Sequence, residues 1–333
     1  MSNNLSEIEC LENVENTGVD ACTFDPKMIV GVIMTPKRFQ ISLTAMTGGD
    51  AAVLTFIQDA ILNDNKALRL FPINNLEGIA DSSEALVVQT MPYGGKHVAR
   101  EGMLDWTLQY VSGGLSLHKK LRSFNGNAYD FFLVDSSNQI IGTQGVDADG
   151  NTVLQAIPTD GGFFWAAPWK AADGSKVTDY GIRLVFAPKY VNDFVEFYAF
   201  GSGYDLPSLL LGIETVHLSS PSANATSGSY NVVGLTEDSK TNVVTLYPTQ
   251  LAVGDLWTAQ NAATGDAIEI VSVTVNQVVG GAGIPGFVVA LLKTDANYPA
   301  AGGHVILSWV GPTELAAADI ANMEAVSVTI ASN

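Results

Sequence analysis

The chain has 333 residues, enough for two domains of ordinary size, and 47% of them are hydrophobic, which excludes a globally disordered polymer. Lysine and arginine number 16 against 34 aspartates and glutamates, a net charge of −18, which disfavours the phosphate-binding chemistry of nucleic-acid and anionic-membrane proteins. Only 15% of residues are charged and mean hydropathy is +0.21, yet no run of about 18 apolar residues exists to span a bilayer, so surface is expected to be hidden between subunits.

Residues 1–27 show no clear period and read as an extended arm. The opening MSNNLSEIEC lacks the basic and apolar regions of a signal peptide, so synthesis and folding in a cytoplasm are expected. Cys10 and Cys22 read as free thiols. The body opens with MIVGVIM (28–34), a buried strand, and Phe39, Ile41 and Leu43 alternate as a second. Residues 50–63 form the best helix: Val53, Ile57, Ala60 and Ile61 draw one apolar stripe, with Asp50 as N-cap. Residues 71–78 read as irregular chain and 84–90 as a strand. Leu104, Trp106, Leu108 and Tyr110 alternate onto one face of a strand over 104–111. Residues 115–124 read as a short helix with Leu117, Leu121 and Phe124 inward. Residues 129–134 and 139–143 form a hairpin, and strands at 163–167, 182–187 and 194–200 complete the body.

The Gly- and Pro-containing stretch 201–207 marks a boundary, beyond which the only basic residues are Lys240 and Lys293. Strands are expected at 209–217, 229–233, 243–246, 267–275, 287–292, 304–309 and 325–330, with a helix at 314–323. The fold class is therefore mainly β: a β-barrel or sandwich body (28–204) with one or two short helices behind an arm (1–27), then an Ig-like β-sandwich (205–333).

No catalytic, cofactor-binding or metal-binding residue is assigned, and no enzyme activity is expected. Asp147-Ala148-Asp149-Gly150-Asn151 resembles the start of a calcium loop, but its glycine comes too early and the closing glutamate is missing, so a turn is favoured. His97, His118, His217 and His304 form no ligand pair. Gly94-Gly95-Lys96 lacks the rest of a phosphate loop, and no GxSxG elbow exists. His118, Lys119, Lys120 and Arg122 are the densest basic cluster. They read either as a solvated helix face or as a contact for an acidic neighbouring subunit, in preference to DNA. Trp106, Trp165 and Trp169 read equally as core or as interface anchors. The candidate inter-subunit contacts are thus His118, Lys119, Lys120, Arg122 and Trp106.

REGMLDWTLQYVSGGLSLHKKLRSF (100–124), the YDFFLVDSSNQIIGT hairpin and the opening LENVENTGVDACTFDPKMIVGVIMTPK together resemble virion proteins of phages and prophages of Bacteroidetes-type bacteria. The order of parts is similar to tail tube proteins of long-tailed phages: an arm, a barrel or sandwich body with a flanking helix, and an added Ig-like domain. The resemblance spans roughly residues 11–200. It implies stacked rings of copies of this chain, clipped together by arms and loops, within a virion assembled in the host bacterial cytoplasm. Other virion proteins are implied as partners, with DNA passing through without specific binding and with no membrane or cofactor. Two alternatives stay open: a β-jelly-roll capsid protein, and a carbohydrate-binding adhesin presenting Trp257 and Trp309.

Overall fold

The computed structural model describes residues 27–110, 114–171, 180–221, 228–279, 284–320 and 322–332. Cys10, Cys22 and the rest of the arm up to residue 26 lie outside them. The chain divides into two compact units after Gly212. The division falls beyond the expected 204/205 boundary because the next residues are bonded to the body. The Asn74 amide donates to Pro207 O (2.9 Å) and Leu210 O (2.6 Å), and Leu206 and Leu210 are buried.

The body begins with β1 (Ile29–Thr35), α1 (Leu43–Thr47) and α2 (Asp50–Ile61), followed by β2 (Phe71–Asn74), β3 (Leu76–Asp81), β4 (Val87–Thr90), β5 (Lys96–Arg100) and β6 (Leu104–Tyr110). It continues with α3 (Gly114–Ser123), β7 (Asp130–Asp135), β8 (Gln139–Val146), β9 (Thr152–Gln155), β10 (Phe163–Ala166), β11 (Tyr180–Phe186), α4 (Lys189–Asn192), β12 (Val195–Ala199) and α5 (Leu206–Leu209). One sheet runs β12-β8-β7-β1-β2, with β9 also on β8; the other runs β10-β11-β6-β3. Neither closes, so the body is a sandwich and not a barrel. Val32, Met34, Phe131 and Leu133 from the first sheet pack with Leu108, Tyr110, Ile182, Leu184 and Phe186 from the second. Alternation along β1 and β7 sends Ile33, Phe132 and Val134 to the opposite face, and they too are buried. Phe39 stands 6.4 Å from Phe132 and 6.0 Å from Phe56 of α2, which covers that face with Val53, Ile57 and Ile61. Each such aliphatic side chain contributes about 1.5–3 kcal/mol by leaving water.

Several local expectations are corrected. Residues 39–43 are not a strand: the Ser42 hydroxyl accepts from Ala45 N (3.2 Å) and starts α1, leaving one bridge at Gln40. Asp50 is not the N-cap of α2, since Gly49 holds that position; its carboxylate accepts instead from the Tyr198 hydroxyl (3.0 Å) and Gly201 N (2.9 Å). Residues 71–78 are not irregular: Asn75, at φ 61°, turns the chain from β2 in one sheet to β3 in the other.

The C-terminal unit holds β13 (Glu214–Ser219), β14 (Ser229–Thr236), α6 (Val243–Leu246), β15 (Trp257–Asn261), β16 (Ile270–Val279) and β17 (Ile284–Leu291). It ends with β18 (His304–Trp309), α7 (Pro312–Ala317), β19 (Met323–Val326) and β20 (Val328–Ala331). Its sheets run β16-β17-β14-β13-β19 and β15-β18-β20. Named A to G in chain order, these are the A-B-E-D and C-F-G sheets of the Ig fold. The last strand is shared: β19 runs parallel to β13, and β20 then pairs with β18. The expected strand at 243–246 is helix α6, capped by the Asn242 side chain on Val244 N (3.0 Å). The expected helix at 314–323 is only α7, and Met323 already belongs to β19. The strand expected from residue 209 starts at Glu214.

Candidate functional site

Two surfaces of the body are built unlike the rest. The first is a ribbon. β3 and β6 keep pairing past the sandwich through Ser82 N to Asp105 O (2.8 Å) and Glu84 N to Met103 O (2.9 Å), and then as β4 and β5. The β-branched run Val87-Val88 and Thr90 suits a strand, and Pro92-Tyr93-Gly94-Gly95 reverses the chain, closed by Met91 N to Gly95 O (2.7 Å). At its root, a side chain on Gly102 would place Cβ 2.1 Å from Glu84 O, so only glycine lets the strands meet there. Arg100 and Glu84 pair across the root at 3.3 Å. Every residue of β4 and β5 is exposed, among them Val87, Val88 and Val98, with Leu86 and Met91 beside them and Tyr93 wholly in solvent at the tip. At about 3.3 Å per residue, the ten residues from Ser82 to Met91 carry the tip some 30 Å from the sandwich.

The second surface is an open groove of about 620 Å³ where β1 ends and β10 begins. Phe163 and Trp165 alternate onto the uncovered face of β10, which is an edge strand. The Arg183 guanidinium lies 5.5 Å over the Phe163 ring and grips Asp105 with two bonds, Nε to Oδ1 at 2.7 Å and Nη2 to Oδ2. Those bonds hold the Asp105 carboxyl below its usual range and raise Arg183. Lys37 and Arg38 each stand 3.7 Å from Asp160. Beneath them Asp130 accepts from Arg38 N (2.5 Å) and Thr159 N (3.1 Å), yet its burial outweighs both donors and pushes its carboxyl up. The Asn125 amide bonds both backbone groups of Ala166 (2.7 and 3.1 Å), so a side chain occupies that end of the β10 edge.

The predicted contact residues divide. Lys119 and Arg122 are exposed on α3, with Lys120 half-buried between them. His118 is not a surface group: it is 4% exposed, its Nδ1 is 3.1 Å from the Tyr110 hydroxyl, and its ring lies 5.4 Å from that of Tyr180. Burial, reinforced by Arg122, lowers the His118 pKa, and burial beside Tyr180 raises that of Tyr110. Trp106 is half-buried and packs edge-on against Phe186 at 5.1 Å, at the margin of the core. Trp257 and Trp309, expected as exposed sugar platforms, are each 4% exposed and face one another at 5.9 Å inside the Ig unit. Trp257 Nε1 donates to Leu251 O (2.8 Å).

Gly94-Gly95-Lys96 is the ribbon turn. The Asp147 carboxylate accepts from Asp149 N (2.9 Å) and Asn151 N (2.8 Å), which shapes the β8–β9 turn and holds its pKa down. Among the described residues, no three His, Cys, Asp or Glu side chains are grouped to hold a metal ion, and no helix is long and apolar enough to cross a membrane. The ribbon had a sequence signal, a Pro-Tyr-Gly-Gly turn between two β-prone runs. The groove had none, because Lys37, Asp160 and Arg183 are far apart in the chain. No family model matches the sequence, and no curated protein matches it significantly.

Proposed function

We propose that this chain is a structural subunit of a phage virion, the tail tube protein, stacking copies of itself in rings around a channel for DNA. The observation that carries the reading is the ribbon. A lone two-stranded hairpin is marginal in water, and this one exposes Leu86, Val87, Val88, Met91, Tyr93 and Val98 without cover from the other described residues. Beyond the Arg100–Glu84 pair at the root, residues 87–99 hold Lys96 and no carboxylate, in a chain of net charge −18, so the acidic surface of a second copy is a complementary partner for the tip. The sheet β10-β11-β6-β3 also ends in two edge strands, and apart from the Ala166 end of β10, which Asn125 occupies, pairing can continue along them between copies. The acidity of the chain suits a wall that DNA passes without specific binding, and other virion proteins cap and extend such a stack. The Ig strand order of the C-terminal unit, unlike that of the body, speaks against tandem jelly rolls.

Negative-stain microscopy and size-exclusion chromatography of the purified chain test this. Rings or tubes are expected; a dispersed single copy at high concentration overturns it. Replacing residues 85–101 by Asn-Gly is expected to abolish the assembled species while shifting Tm by no more than about 5 °C. Assembly that survives the replacement removes the ribbon from the contact.

A further inference from the structure

We propose that the groove beside β10 binds a neutral carbohydrate, a hexopyranose chain stacked on Phe163 and Trp165. The inference goes beyond the assembly reading and does not depend on it, because the groove is lined by residues of one copy. Its floor comes from the twofold period of β10. Phe164 and Ala166 point into the core and are buried, which sends Phe163 and Trp165 outward, where both rings are exposed. Two residues along a strand span about 6.6 Å, close to the rise of one unit in an extended hexopyranose chain. A pyranose carries C–H groups on its faces and hydroxyls around its rim, so it stacks on aromatic rings while its hydroxyls bond sideways. Trp257 and Trp309 are buried and cannot stack in this way. The groove volume of about 620 Å³ lies within the roughly 300–1,000 Å³ of small-ligand sites.

The rings are fixed in place by the fold itself. Arg183 lies opposite Trp165 in register, and its guanidinium, gripped by Asp105, covers one side of Phe163 at 5.5 Å. The strand beneath them is pinned at Ala166 by the Asn125 side chain. Rings held in this way lose little freedom when a ligand stacks on them. On the approach side, a Cβ added at Gly161 would meet nothing within 4 Å, so the rings are open there. The polar rim suits hydroxyls. Lys37 and Asp160 stand 3.7 Å apart, too far for a hydrogen bond, so the carboxylate keeps lone pairs and the ammonium keeps N–H donors. Asn127, exposed at the same rim, adds an amide that both donates and accepts. Two other occupants fit less well. Lys37 and Arg38 already face Asp160, and Arg183 is bound to Asp105, so an acidic peptide or a phosphate backbone finds little net charge. A peptide strand adding along the β10 edge would need the backbone groups of Ala166 that Asn125 holds.

The test is saturation-transfer NMR on the full chain with four neutral probes, the tetrasaccharides of glucose, mannose, galactose and N-acetylglucosamine. At least one is expected to bind with a Kd of about 1 mM or tighter, with saturation strongest at the C–H protons of one ring face. Trp165→Ala is expected to weaken that binding about tenfold, and Trp165→Tyr, which restores a ring, to recover most of it. Asp160→Ala is expected to weaken it at least about threefold by removing an acceptor. Its Tm is expected to stay in place, because its ion pairs are solvent-exposed. The proposal is overturned if no probe binds at about 10 mM, or if either alanine variant binds like the unaltered chain. Failure of Trp165→Tyr to recover binding also overturns it. So does tetragalacturonate binding more tightly than every neutral probe, since charge and not stacking would then select the ligand. Should circular dichroism show Trp165→Ala unfolded, Asp160→Ala decides alone. These outcomes are separate from assembly, which microscopy reads without any sugar present.

Discussion

His118 lies on the buried side of a helix whose exposed side is cationic, and this couples the stability of the body to pH. The Tyr110 hydroxyl and Tyr180 ring enclose it, and Arg122 shares its helix. Its pKa in the fold is below the ordinary 6.5, so the unfolded chain binds the proton more readily. The contribution is full above that ordinary value and falls as pH drops below it. Urea denaturation of the native chain between about pH 5 and 8 is expected to show declining stability on the acid side, and His118→Phe to flatten the decline. An unchanged slope in the variant assigns the effect to other groups. Gly162 is a second sensitive position, because an added Cβ falls 1.8 Å from Val185 O, a backbone atom that cannot turn aside. Gly162→Ala is expected to force β10 off β11 and cost about 1–3 kcal/mol, read as a lowered urea midpoint.

At the level of elements, α2 is held by packing more than by its own propensity. Val53, Ile57 and Ile61 are buried while Thr55 and Asp59 face water, and Ile57→Ala is expected to cost about 2–5 kcal/mol in the same denaturation experiment. That stripe was readable in advance because one-sided burial imposes a helical period, as it imposes a twofold period on Leu104, Trp106, Leu108 and Tyr110. Where side-chain caps intervened, the pattern misled. Phe39, Ile41 and Leu43 alternate like a strand, but Ser42 turns the chain into α1. Val243-Val244-Thr245-Leu246 has strand composition, but Asn242 caps it as a helical turn. β4 reads as an ordinary strand although its residues are exposed on both faces, since composition reports β-propensity and not what lies beside the sheet.

On the scale of the molecule, the two units hold separate cores. Val32, Phe131 and Ile182 belong to one; Val232, Trp257 and Phe287 belong to the other. Trp257→Ala removes the ring that packs on both Phe287 and Trp309, and is expected to destabilise the C-terminal unit alone by about 3–5 kcal/mol. Scanning calorimetry is expected to show one transition moving down while that of the body stays in place; a joint shift would mean the units unfold together. The mainly β class and an Ig-like C-terminal module were readable from composition and strand spacing alone, since periodic burial and turn residues act over a few positions. The sandwich closure, the extension of β3 and β6 into a ribbon, and the meeting of Lys37, Asp160, Phe163 and Arg183 needed the folded chain. Those arrangements come from strand pairings between residues tens of positions apart, and no local pattern of side chains specifies which distant edge a strand will meet.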